Sequence, residues 1–341
     1  YFFFISWFDI LFSSHQERFV LSMAGMVEKI IYYGILFGII GFKLHFVWMY
    51  VAVLVGTCTK ILYLYWKYNK VFKSKMVKVV LDGSFRINNR GYLLCNQIAT
   101  QSVDALPTIL ITTLQGLSAA SVYAVYFLVQ NMIKMVVSTV QLSVSEVFGN
   151  LVVSESAEKV QRVYGIMEFV FFLVAMVLCS CSAFLYMPFI YLYTGGNTFD
   201  VNYLFPILAC EIVIYSLVYC MYMPCYTLTN VHGLYKQTYL QAAICAIIAI
   251  ILAVGLGLLY WPLVLLGPVF YYVSAMIWRL YVSKKHIIWL RLHDFVRRMI
   301  VLIFVVIISM VVSTCIYNQG YPDSWFLWLA HACVFLGVVA S

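Results

Sequence analysis

Three charged side chains lie deep inside long apolar stretches of this sequence. Lys134 interrupts the run YFLVQNMIKMVVSTVQLSV at 126–144, and Asp104 and Glu211 lie within two other apolar runs. An ionisable group inside an apolar helix normally faces a water-filled cavity or a partner of opposite charge. Because an ammonium group attracts anions, and a carboxylate binds cations or exchanges a proton, these residues are the first candidates for a binding or coupling site.

The residues around Lys134 form a polar stripe on one side of a predicted helix. Successive residues of a helix are about 100° apart, so positions three and four apart share a face. The stripe consists of Tyr123, Tyr126, Gln130, Lys134, Ser138, Gln141 and Ser145. Lys134 lies roughly three turns from either end of the predicted span, which disfavours snorkelling of its side chain to the interface. The stripe therefore predicts either a water-filled cavity or a buried ion pair at Lys134.

Two further stripes accompany Asp104 and Glu211. Their members are Asn96, Gln97, Thr100, Gln101, Asp104, Thr108 and Gln115 in the first, and Glu211, Tyr215, Tyr219, Tyr222 and Tyr226 in the second. Tyrosine suits a wet apolar wall, because its ring packs while its hydroxyl group binds water or a polar ligand. Pro107 predicts a kink beside Asp104, which either exposes carbonyl groups to a cavity or has no role. Glu28 and Lys29 are also deep charges, and as neighbours in a helix they point apart.

Long apolar helices must position these stripes. The 341-residue chain is 65% hydrophobic and only 10% charged, whereas soluble domains are about 25% charged. The apolar runs have the length of about 20 residues that a transmembrane helix needs, not the alternating segments of about 10 residues of a barrel. We predict an all-α, polytopic integral membrane protein with about ten complete spans after a partial first helix. The predicted spans are 19–41, 44–66, 91–114, 117–147, 164–186, 203–226, 238–260, 262–282, 299–317 and 324–341.

Basic residues fall on alternate loops. Seven lie in 67–90 and six in 279–298, whereas the opposite loops contain only Lys43. The positive-inside rule makes the basic loops cytoplasmic, so membrane topology explains the net charge of +8 without a nucleic-acid partner. Loop 67–90 also contains apolar residues such as Met76. It therefore either lies along anionic membrane lipids or is a solvated linker.

Neither a metal site nor an enzyme active site is recognisable. Almost all of the ten cysteines lie within the apolar spans, and we interpret them as small core residues, because no Cys and His set has zinc-like spacing. The sequence contains no phosphate-binding glycine loop and no nucleophile–base pair. We therefore expect no cofactor, no metal and no enzymatic activity.

One long region resembles a known transporter family. The region from Asp104 to 169, with Gly116, the segment SVYAVY at 121–126 and the helix end FGNL at 148–151, is similar to bacterial oligosaccharide-lipid flippases. These form the O-antigen/polysaccharide export branch of the multidrug/oligosaccharidyl-lipid/polysaccharide transporter superfamily. The turn LYTGGNTFDVNYLFP at 192–206 also resembles that family's outer turn before its tenth helix.

The resemblance implies a two-lobed transporter of about fourteen helices around a central cavity. The chain, which starts with Tyr1, would then begin near the end of the fourth helix, as an N-terminally truncated form of this fold. Residues 1–66 would be the remainder of the first lobe, 67–90 a basic cytoplasmic linker, 91–282 the second six-helix lobe, and 283–341 a cytoplasmic loop with two additional helices.

The function that the resemblance implies is alternating-access transport of an undecaprenyl-diphosphate-linked oligosaccharide across the bacterial cytoplasmic (inner) membrane for surface polysaccharide export. Coupling to H⁺ or Na⁺ would use Asp104 and Glu211. The candidate substrate-binding and cavity residues are Lys134, Gln130, Tyr123, Tyr126, Ser138, Gln141, Asn96, Gln97, Gln101, Tyr215, Tyr219 and Tyr222.

Two other functions compete with this hypothesis. A multidrug and toxin extrusion-type antiporter would use midplane carboxylates to attract cationic drugs, and the positive charge of Lys134 argues against it. A polysaccharide polymerase or ligase would carry a large external loop with a catalytic Arg or His. The longest external loop here, YTGGNTFDVNY at 193–203, contains neither residue.

Overall fold

All regular secondary structure in the described part of the chain is helical. A computed structural model describes residues 7–8, 11–12, 17–45, 47–71, 90–195, 206–287, 292–317, 320–322 and 324–340. The helices are α1 (Arg18–Gly41), α2 (Trp48–Val71), α3 (Arg90–Ser154), α4 (Ala157–Tyr193), α5 (Pro206–Val231), α6 (Tyr235–Leu259), α7 (Leu266–His286), α8 (Leu292–Tyr317) and α9 (Trp325–Ala340), with a 3₁₀ turn at Trp261–Leu265 before α7.

The prediction of an all-α polytopic membrane protein is confirmed. Within the described ranges, eight helical segments are long and apolar enough to cross a membrane, and Trp325–Gly337 is a shorter apolar helix. Each of the ten predicted spans coincides with a helix or with half of α3. The predicted partial first helix falls mostly outside the described residues.

The chain divides into two compact units, Tyr1–Arg86 and Ile87–Ser341. The division falls within the predicted linker 67–90. Residues 72–89 of that linker, including Met76, lie outside the described residues, so its predicted contact with anionic lipids stays a prediction.

In the first unit, α1 and α2 pack against each other, and an ion pair links them. Lys60 Nζ lies 3.2 Å from Glu28 Oε2. A Cβ atom at Gly56 would lie 3.3 Å from the backbone oxygen of Glu28, so this glycine permits the close approach of the two helices. Sequence analysis identified Glu28 as a deep charge but did not identify Lys60 as its partner.

In the second unit, α3 reverses direction at Gly116. The backbone there has φ 83° and ψ −176°, a conformation that is essentially restricted to glycine. Along a straight helix Asp104 and Lys134 would lie about 45 Å apart, yet their side chains are in contact. Thus α3 has an N-terminal arm before Gly116 and a C-terminal arm after it. The non-helical dihedral angles are at Gly116, whereas the helical backbone continues through Pro107.

Small residues bring α6 and α7 together. The buried face of α6 contains Ala242, Ala246, Ala249, Ala253 and Gly257. A Cβ atom at Gly267 of α7 would lie 2.5 Å from the backbone oxygen of Ala249 and 2.7 Å from Ala253 Cβ. Since helices in a bilayer associate largely through close packing of small residues, this face accounts for the contact between the two helices.

The last two helices pack on α4. Arg298 of α8 lies 3.1 Å from Glu168 Oε1 and donates a hydrogen bond to the carbonyl oxygen of Gly165 at 3.2 Å. Ser313 Oγ donates to the carbonyl oxygen of Phe184 at 2.7 Å, and Phe335 of α9 stacks on Phe184 with ring centroids 4.4 Å apart. Polar contacts therefore fix α8 on α4, and an aromatic contact adds α9.

Candidate substrate and coupling site

Four helical segments of the second unit converge on one carboxylate oxygen. Asp104 Oδ1 accepts hydrogen bonds from Lys134 Nζ at 2.8 Å, from the Tyr215 hydroxyl group at 2.7 Å and from the Tyr272 hydroxyl group at 2.9 Å. Asp104 lies on the N-terminal arm of α3, Lys134 on its C-terminal arm, Tyr215 on α5 and Tyr272 on α7. The reversal at Gly116 is what brings the two charges together.

The ammonium group of Lys134 lies in a cage of tyrosine rings. It donates a second hydrogen bond, to the Tyr215 hydroxyl oxygen at 2.8 Å. The centroids of Tyr215, Tyr219 and Tyr272 lie 4.6, 5.1 and 5.9 Å from Nζ. Cation–π attraction at these distances adds to the ion pair with Asp104. We call these five residues, Asp104, Lys134, Tyr215, Tyr219 and Tyr272, the Lys134 cage.

The cage is open on one side. The Tyr215 and Tyr272 side chains are completely buried, whereas 29% of the Asp104 side chain and 14% of the Lys134 side chain are exposed. The tyrosines therefore form the floor of the site, and the charged groups reach the surface of this unit.

The stripe on the N-terminal arm of α3 is divided between two environments. Asn96, Thr100 and Asp104 face α7, where they meet Arg279, Tyr271 and Tyr272 in turn. The predicted cavity residues Gln97 and Gln101 instead lie exposed on the surface of the unit. The neighbouring helix thus covers one edge of the stripe and leaves two amide side chains accessible beside Asp104.

Arg279 is another cation in the same unit, and it is more deeply buried than Lys134. Only 3% of it is exposed. Its guanidinium group donates hydrogen bonds to Thr229 Oγ1 and, at 3.4 Å, to Asn96 Oδ1, and it lies 5.4 and 4.9 Å from the ring centroids of Tyr222 and Tyr226. No Asp or Glu in the described ranges forms an ion pair with it. Sequence analysis counted Arg279 among the basic residues of 279–298, whereas the structure buries its guanidinium group beside two tyrosine rings.

Most of the stripe around Lys134 is buried within this unit. Tyr123, Tyr126, Gln130 and Gln141 are buried, whereas Ser138 is partly exposed. Tyr186 of α4 donates a hydrogen bond to the carbonyl oxygen of Tyr126. These residues pack against neighbouring helices here, and the prediction that they line a cavity stays a prediction.

Gln130 differs from its buried neighbours. It is completely buried, and in the described part of the chain neither polar atom of its amide group has a hydrogen-bond partner. Buried polar groups without partners are rare in native proteins. This keeps Gln130 a candidate for contact with a substrate in another conformation.

Glu211 is separate from the Lys134 cage. It lies one helical turn before Tyr215 and is 5% exposed, and its Oε2 atom has no hydrogen-bond partner among the residues described. It forms no ion pair with Lys134, whose ammonium group pairs with Asp104. The two candidate coupling carboxylates therefore occupy different environments, since Asp104 has an ion-pair partner and Glu211 has none among the described residues.

Sequence analysis missed Tyr271, Tyr272 and Arg279 of α7. The signal was present, since VFYYVSAMIWRL at 269–280 places two tyrosines and an arginine in one apolar span. The arginine was counted with the basic loop that follows it, and its contacts with tyrosine faces cannot be read from a single helix.

The remaining side chains give no sign of a metal centre. In the described ranges no three His, Cys, Asp or Glu side chains converge as a metal site would require. Comparison of the chain with models of protein families, with curated proteins and with solved structures found no match. Any functional conclusion therefore rests on the geometry of the chain itself.

Proposed function

We propose that this chain is a transporter that moves an undecaprenyl-diphosphate-linked oligosaccharide across the bacterial cytoplasmic membrane. The observation that carries the proposal is the Lys134 cage, an accessible ion pair inside a bundle of membrane-spanning helices. Charged groups are expensive within a bilayer, and those that are retained usually serve binding or transport.

The groups around the cage suit the parts of such a substrate. The ammonium group of Lys134 attracts a diphosphate, and the exposed amides of Gln97 and Gln101 can bind sugar hydroxyl groups. The apolar outer faces of the helices leave the polyprenyl tail in lipid. Each chemical part of the substrate therefore has a matching surface.

The pairing of Lys134 with Asp104 adds a step to this proposal. Because Asp104 already neutralises Lys134, the diphosphate binds by replacing the carboxylate as the partner of the ammonium group. Asp104 then needs a new positive partner, either a proton or a metal cation. This exchange of partners links substrate binding to ion uptake, which is what an ion-coupled carrier requires.

The cage also supports a second candidate, export of organic cations. Three tyrosine rings beside a carboxylate form the kind of site that binds ammonium compounds. The positive charge of Lys134 argues less strongly against this function than the sequence suggested, since Asp104 balances that charge.

Transport into vesicles separates the two candidates. The full-length protein in liposomes is given a fluorescent undecaprenyl-diphosphate oligosaccharide in one assay and ethidium in another. For the flippase, Lys134→Ala should slow transfer of the lipid-linked sugar by about 10- to 100-fold, because a charge-assisted contact of about 1.5–3 kcal/mol is lost.

Lys159→Ala is the matched control. Lys159 is an exposed lysine paired with Glu155 outside the cage, and its removal should leave transfer unchanged. Undiminished transfer by Lys134→Ala would refute the assigned role, and transport of ethidium without transport of the lipid would favour the second candidate.

A further inference from the structure

The geometry points to a monovalent-cation site at the Lys134 cage, which the chain fills with its own lysine. We infer that a small cation from solution binds between Asp104 and the tyrosines whenever the ammonium group of Lys134 leaves. The role of this cation in transport rests on the proposed function, whereas its binding can be measured without transport.

The ligands of the ammonium group are those of a cation site. Nζ lies 2.8 Å from a carboxylate oxygen and 2.8 Å from a hydroxyl oxygen. Rings of Tyr215 and Tyr219 face it with centroids at 4.6 and 5.1 Å. A carboxylate, a neutral oxygen and aromatic faces stabilise a small cation whether or not it is attached to a side chain.

The contacts that hold these ligands in place do not include Lys134. Asp104 comes from the N-terminal arm of α3, Tyr215 from α5 and Tyr272 from α7. Tyr215 and Tyr272 each donate a hydrogen bond to Asp104, and their rings contact each other with centroids 5.7 Å apart. Since none of these contacts involves the C-terminal arm, shortening Lys134 should leave a preformed site.

A cation has a route into the site. The exposed part of the Asp104 side chain, 29%, opens the carboxylate to the surface of the unit. When Lys134 turns to a substrate diphosphate, a cation that enters by this route restores neutrality at Asp104. The inference thus identifies the coupling ion as one that takes the place of the lysine ammonium group.

Thermal unfolding of the full-length protein in detergent tests the binding. Lys134→Ala is unfolded in potassium, sodium or methylammonium chloride, with N-methyl-D-glucamine chloride at the same ionic strength as the reference, because this cation carries a long polyhydroxyl chain and lacks the quaternary ammonium group that aromatic cages bind. We expect a Tm about 3–5 °C higher than in N-methyl-D-glucamine, at about ten times the Kd, for at least one of the three small cations. The wild type should have the same Tm in all four salts, since its own lysine fills the site.

Two further variants assign the effect to the cage. Lys134→Met fills the space without charge, and Lys134→Ala combined with Asp104→Asn removes the carboxylate, so both should lose the difference between salts. The inference is overturned if folded Lys134→Ala has the same Tm in all four salts, or if the double variant keeps the shift. If Lys134→Ala is not recovered folded in N-methyl-D-glucamine, its recovery in a small cation supports the inference, and failure in every salt overturns it.

The binding test is independent of the transport assay. A salt-specific shift in a protein that moves no lipid-linked sugar would keep the cation site and remove the proposed substrate. Transport of the lipid-linked sugar without any salt-specific shift would support the proposed substrate and refute the cation site.

Discussion

One oxygen of Asp104 accepts three hydrogen bonds, one from a charged donor and two from neutral donors. Lys134 supplies charge, whereas Tyr215 and Tyr272 supply hydroxyl groups from completely buried rings. Hydrogen bonds to charged groups contribute about 1.5–3 kcal/mol each. The two hydroxyl groups therefore hold the carboxylate in position while leaving its charge available to a cation.

Removing one hydroxyl group tests this arrangement. Tyr272→Phe keeps the ring but loses the donor at 2.9 Å from Asp104, and should lower the Tm in detergent by about 3–6 °C. Tyr222→Phe is the matched control, because the hydroxyl group of this equally buried tyrosine has no hydrogen-bond partner in the described part of the chain. It should leave the Tm unchanged or raise it. Equal losses in the two variants would contradict the role of Tyr272.

The sequence predicts which polar residues are candidates for the site, but it does not predict which of them contact each other. Asp104, Lys134 and Tyr215 were selected because each is a polar residue at a regular position in an apolar helix. Their direct contact follows from the packing of three helical segments, the two arms of α3 and α5, and the periodicity of one segment does not predict it. The ion pair was one of two open interpretations of Lys134, and the structure contains that pair.

The turn at Gly116 is the element on which the site depends. Its φ of 83° and ψ of −176° lie in a region that only glycine adopts readily. A Cβ atom at this position would meet no neighbouring atom within 4 Å, so glycine is required here for its backbone conformation and not for lack of space. Changing this backbone would separate the arm that carries Asp104 from the arm that carries Lys134.

Two glycine substitutions in α3 should therefore have opposite signs. Gly116→Ala should destabilise the protein by about 1–3 kcal/mol because of backbone strain. Gly149→Ala, at a helical position that is equally open, should stabilise it by about 0.5–1 kcal/mol. Thermal unfolding of both variants measures the difference. A stabilised Gly116→Ala would show that the turn does not need glycine.

Apolar run length predicted the helices well but not their ends. The predicted span 164–186 is part of α4, which extends over Ala157–Tyr193. The additional two turns at its start contain Glu158 and Lys159, which hydropathy assigns to a loop although both are good helix formers. Helical hydrogen bonding continues outside hydrocarbon, so an apolar run marks the part of a helix that lies in lipid and not its full length.

At the scale of the whole molecule, the distribution of basic residues predicts the orientation of the helices. The turn between α3 and α4 should be cytoplasmic, and the turn before α9 should be external. Ser156 and Ser324 are exposed residues in these two turns. They offer a matched pair of positions, because replacing serine with cysteine changes little in size.

Thiol labelling of intact cells tests this orientation. In a variant without the ten native cysteines, Ser324→Cys should react with a membrane-impermeant maleimide added outside, and Ser156→Cys should react only after the membrane is opened. The reverse pattern would invert the topology. It would also place the basic loops on the outside, against the positive-inside rule.

The ion pair between Glu168 and Arg298 has a consequence for the order of biosynthesis. Asp104 and Lys134 are only 30 residues apart, so both members of that pair leave the ribosome almost together. Arg298 follows Glu168 by about 130 residues, which at about 5–20 residues per second is a delay of roughly ten seconds. Throughout that interval Glu168 of α4 lacks its ion-pair partner. The ion pair can form only after α8 has been synthesised and has packed against α4.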